Sequence, residues 1–79
     1  MTIETDVRAI LSNEFGLKAA DIDGDAALFS SGTLDSLSSL RLLMSLESAF
    51  GLSISPLDVS LEDVDSVNKI TETVTRLQA

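Results

Sequence analysis

The sequence predicts an all-α fold: a small four-helix bundle with three main helices, one short helix and a long loop between helices one and two. Three features point to it. Apolar residues recur at spacings of three and four in separate stretches, caps and glycine stops bracket those stretches, and no run alternates apolar with polar as a strand would. A single domain over residues 1–79 is expected, because the apolar fraction of 44% suffices for one core. With three Phe and no Trp, Tyr or Cys, that core is aliphatic and has no disulfide to staple it.

Ile3, Val7, Ile10 and Leu11 make the stripe of the first helix, with Phe15 at its edge. Thr2 stands where an N-cap belongs, Glu4 and Asp6 suit the positive end of the helix dipole, and Gly16 supplies the stop. From Leu17 to Asp35 the periodicity gives way to Asp, Ser and Gly. A loop this long inside a compact domain is functional or well packed, and Leu28 and Phe29 are expected to pin it to the core. The second helix runs from about Ser36 to Phe50, with Asp35 as N-cap and Gly51 as stop. Ser55 as N-cap, Pro56 at the first helical position and Asp58 at the third predict a short helix with Leu57 and Val59 turned inward. The last helix starts near Asp65 or Ser66 and carries the stripe Val67, Ile70, Val74 and Leu77.

The second helix has more apolar surface than a core contact needs. At about 100° per residue, Leu42, Leu43, Leu46, Ala49 and Phe50 share one broad arc, whereas Leu37, Leu40 and Met44 form a separate one. One apolar stripe is enough for a surface helix. The second is therefore either covered by the long loop or left for a partner, in the helix-in-groove manner that a flexible Met suits.

Charge and composition exclude much else. Thirteen acidic against five basic residues give a formal net charge of −8. Such a surface repels nucleic acid and favours partners with basic patches. The N-terminus lacks the basic start and apolar run of a secretory signal, and no apolar stretch is long enough to span a membrane, so a soluble cytoplasmic protein is expected; a monomer is expected as well. There is no His and no Cys, hence no imidazole base, thiolate or soft metal site. The run Asp21-Ile22-Asp23-Gly24-Asp25 invites a calcium reading, but the position where an EF-hand needs glutamate holds Gly32 or Leu34. A turn rich in Asp accounts for it better. No enzyme and no metal site are expected.

Gly32-Thr33-Leu34-Asp35-Ser36-Leu37 resembles the phosphopantetheine attachment motif of acyl and peptidyl carrier proteins, and the match continues to Phe50-Gly51-Leu52-Ser53-Ile54. Asp-Ser-Leu alone is trivial; at the start of a doubly apolar helix, after a long loop, in an acidic chain of 79 residues, it is specific. The resemblance covers the chain in length, helix order and loop placement. It implies that Ser36 is the serine which a phosphopantetheinyl transferase joins to 4'-phosphopantetheine through a phosphodiester. Asp35 would cap the helix and assist recognition by that transferase. Leu37 and Met44 match family positions that contact partners, and Leu40 extends their strip.

The arm's thiol would hold an acyl or aminoacyl group as a thioester, loaded by an acyl- or amino-acid-activating ligase and passed to downstream acyl-transferring or modifying enzymes. Fatty-acid carriers of the family usually show Gly-Ala before Asp-Ser-Leu and several acids along the second helix. Here Leu34 precedes Asp35, and the helix bears Ser38, Ser39, Arg41 and Ser45 with Glu47 its only acid. The SGTLDS approach and Val67-Asn68-Lys69-Ile70 are closer in style to stand-alone aminoacyl carriers of the D-alanyl type. The competing expectation is an unmodified acidic helical adaptor that binds through Leu37, Leu40 and Met44, with Ser36 a plain capping or solvated hydroxyl.

Overall fold

A computed structural model describes residues 2–18, 21–55 and 59–78. Its elements are α1 (Ile3–Phe15), α2 (Ser36–Phe50), a 3-10 turn (Leu61–Val64) and α3 (Val67–Gln78). No strand occurs among the described residues, so the all-helical expectation holds.

The ends of α1 and α2 fall where the capping residues place them. The Thr2 hydroxyl accepts the Thr5 N–H at 3.2 Å, and Gly16 turns left-handed at φ 67° to end α1. Asp35 caps α2, and Gly51 ends it at φ 64° with its N–H donated to the Glu47 carbonyl. The Glu47 side chain then accepts the Ile54 N–H at 3.0 Å, which directs the chain away from the helix. Ahead of α3, the Ser66 hydroxyl accepts the Lys69 N–H at 3.1 Å, so Ser66 acts as the cap and the helix begins one residue later.

Val7 and Leu11 of α1, Leu42 and Leu46 of α2, and Val67, Ile70 and Val74 of α3 are fully buried in one aliphatic core. α1 packs on both α2 and α3, while the 3-10 turn packs on α2 and α3 and buries Val64. Thr73 is buried at no polar cost, because its hydroxyl donates to the Asp63 carbonyl at 2.8 Å.

Two expectations need correction or relocation. Ala49, assigned to the core arc of α2, is exposed. It lies on the rim of that arc, beside an open groove between α1 and α2. The short helix expected to begin at Ser55 falls largely on Pro56, Leu57 and Asp58, which lie outside the described residues; Val59 is buried as expected. The 3-10 turn at Leu61–Val64 was not anticipated. It is held by the Asp63 carboxylate, which accepts the Ser60 N–H at 3.0 Å.

The loop between α1 and α2 is packed and hydrogen-bonded. Leu28 and Leu34 are buried, with Phe29 partly buried against the core. Nearer α1, the Asp23 carboxylate accepts the Asp25 N–H at 2.9 Å and Asp25 accepts the Asn68 amide at 2.8 Å, which makes this acidic run a turn tied to α3. Gly24 permits that approach: a Cβ there would stand 2.7 Å from the Asn68 side-chain oxygen. No helix among the described residues is long and apolar enough to cross a membrane.

Candidate functional site

Ser36 is the first residue of α2 and is exposed. Its place follows from Asp35, whose extended backbone (φ −103°, ψ 176°) turns the chain into the helix while its carboxylate satisfies the first turn. Asp35 Oδ1 accepts the Ser38 N–H at 2.9 Å and the Ser38 hydroxyl at 3.0 Å. The Ser38 N–H, then its hydroxyl, hold the Asp35 carboxyl below its ordinary value. That carboxylate is thus engaged by the helix it caps. One turn on, the Ser39 hydroxyl donates to the Ser36 carbonyl at 2.6 Å.

Beside this serine the second apolar stripe of α2 stays open. Leu37 is 77% exposed, Leu40 52% and Met44 68%, so the long loop does not cover them. Leu37 and Met44 share one line along the helix, with Arg41 beside them and paired to Glu14 of α1 at 3.4 Å. Arg41 also stands 5.9 Å from the Phe15 ring centre. Leu61 on the 3-10 turn adds exposed apolar surface across a shallow groove of about 250 Å³ from Leu40. Leu61 was missed in the sequence because four residues of 3-10 turn carry no period to read.

These features meet the chemical demands of an attached phosphodiester. Ser36 is exposed, and it sits at a helix N-terminus, where the dipole favours a negative group. Among the described residues no group of three or more His, Cys, Asp or Glu side chains converges as metal ligands would.

Sequence comparison places relatives along most of the chain. The family model for a phosphopantetheine attachment site matches residues 5–74. A D-alanyl carrier protein of Streptococcus uberis is 36% identical over 78 residues, which cover 99% of this chain and 98% of that protein. The D-alanyl carrier protein of Lactococcus lactis subsp. cremoris is 40% identical over 52 residues, 66% of each chain. A non-reducing polyketide synthase of Stachybotrys bisbyi is 44% identical over 64 residues, 81% of this chain but only 3% of the synthase.

Proposed function

The chain belongs to the phosphopantetheine attachment-site family, and from that membership we propose that Ser36 bears the arm and that its cargo is an amino acid. A chain of this family carries 4'-phosphopantetheine covalently and works as a carrier rather than a catalyst. The observation that supports Ser36 as the attachment point is its exposed hydroxyl at the first position of α2, directly after the Asp35 cap and beside Leu37, Leu40 and Met44. The aminoacyl cargo is supported by the D-alanyl carrier relatives, aligned over nearly their full length. It is supported too by α2, whose open face shows a cation rather than a row of acids.

When attached, the arm supplies a thiol that holds the cargo as a thioester. The residues of this chain do the rest. Asp35 fixes the start of α2, which places Ser36 at the first helical position. Leu37, Leu40 and Met44 give the transferase and the loading ligase an apolar strip to grip, and tethering then raises the local concentration of cargo at each partner without tight binding.

Intact-mass measurement after incubation with coenzyme A, Mg²⁺ and a broad-specificity phosphopantetheinyl transferase tests the attachment. Wild type is expected to gain one phosphopantetheine and Ser36→Ala none. A folded wild type that gains nothing overturns the proposal and leaves the unmodified adaptor in its place. Mass spectrometry of the protein from its native host, read for a thioester-linked amino acid, checks the cargo.

A further inference from the structure

The side chain of Asp65, between the 3-10 turn and α3, accepts four hydrogen bonds from the long loop. Its Oδ1 accepts three successive backbone N–H groups from the long loop: Leu28 at 3.1 Å, Phe29 at 2.6 Å and Ser30 at 3.1 Å. Its Oδ2 accepts the Ser30 hydroxyl at 2.5 Å, and its backbone carbonyl also accepts the Leu28 N–H at 2.7 Å. Consecutive amides wrapped around one oxygen form a nest for an anion, filled here by a carboxylate from the far end of the chain.

What Asp65 grips is the approach to Ser36. The Leu34 N–H donates to the Leu28 carbonyl at 2.8 Å, so residues 28–34 close into a small loop whose two buried ends, Leu28 and Leu34, are bonded to each other. The Gly32 N–H donates to the Phe29 carbonyl at 3.1 Å, and the Ser31 hydroxyl donates to the Ala27 carbonyl at 2.6 Å, shaping the exposed tip. Asp35 and Ser36 follow Leu34 directly. We infer that Asp65 is a positioning residue for modification of Ser36: through the amides of residues 28–30 it fixes the loop surface that the phosphopantetheinyl transferase meets beside the serine.

This inference rests on the proposed attachment at Ser36 and deepens it. Asp65 touches neither Ser36 nor the Asp35 cap in any of these bonds, so the hydroxyl itself is unchanged when Asp65 is lost. What falls is the fraction of molecules whose loop is in the recognised shape, and apparent affinity falls by that fraction. The effect therefore appears in KM for the carrier and not in kcat.

The test is steady-state phosphopantetheinylation of the full chain, at a temperature where each variant is folded by circular dichroism. Asp65→Ala is expected to raise KM about tenfold with kcat unchanged, and Asp65→Asn, which keeps one acceptor oxygen, less. Ser30→Ala, an exposed position that removes one donor, is expected to raise KM about twofold and keeps the test alive if the Asp65 variants do not fold. Val74→Ala, a buried position in α3 that makes none of these bonds, serves as a control for lost stability. Backbone amide exchange at Phe29 and Ser30 is expected to quicken in Asp65→Ala but not in Val74→Ala. If the folded Asp65 and Ser30 variants keep the wild-type KM, or if Val74→Ala raises it equally, the inference fails while the attachment at Ser36 stands. A wild type that is never modified overturns the proposed function itself.

Discussion

Asp65 leaves a mark on acid stability as well as on recognition. The Ser30 hydroxyl, then the Ser30 and Phe29 amides, hold its carboxyl down from 3.8 to about 2 in the folded chain. A carboxyl depressed by folding adds stability that is complete above its unfolded value and is lost as pH falls through its folded value. Asp65 thus supports the fold above about pH 4 and ceases to as pH falls through about 2. Asp35, lowered by its bonds to Ser38, acts in the same direction. Melting curves between pH 7 and 2 are expected to show a smaller acid loss for Asp65→Asn than for wild type, since the amide at this position takes up no proton. Equal losses would show that the charge of Asp65 does not support the loop.

Among the helices, α2 divides its labour between two faces. Its inner face, with Leu42 and Leu46, belongs to the core; its outer face, with Leu37 and Met44, contributes little to folding. Leu37→Ala and Met44→Ala are expected to change stability by less than about 0.5 kcal/mol. The same variants are expected to lower the rate of loading by the partner ligase about tenfold. Ile70→Ala in α3 is expected to cost about 2–5 kcal/mol in a urea titration, since Ile70 is fully buried.

The extents of α1 and α2 were legible because each carries its own punctuation, Thr2 with Gly16 and Asp35 with Gly51, and both stripes of α2 can be counted off the sequence. α3 begins just after the residues read as its start, because Ser66 is spent on capping and Asp65 on the loop. The order within the long loop was not legible. It depends on bonds between residues 28–30 and Asp65, far apart in the chain and without any local pattern. The openness of Leu37, Leu40 and Met44 was undecided for the same reason, since only the packing shows that the loop turns toward the core and leaves them bare.

Taken as a unit, the protein is a thin aliphatic core beneath a strongly acidic surface. With a net charge of −8, like charges repel in the folded state, and dissolved ions screen that repulsion. Raising NaCl from about 0.02 to 0.5 M is expected to lift the melting temperature by several degrees in a thermal scan near neutral pH. A flat or falling response would mean that the favourable pairs, such as Arg41 with Glu14 and Arg8 with Glu4, outweigh the repulsion.

The bonds from Leu28, Phe29 and Ser30 to Asp65 also set an order of events during synthesis. A ribosome releases Ser36 well before the carboxylate that arranges the loop ahead of it. A half-made chain therefore offers the serine beside a slack loop, and one that has gained Asp65 offers it beside a shaped surface. If Ser36 carries the arm as proposed, its loading then favours molecules in which Asp65 has already met the loop.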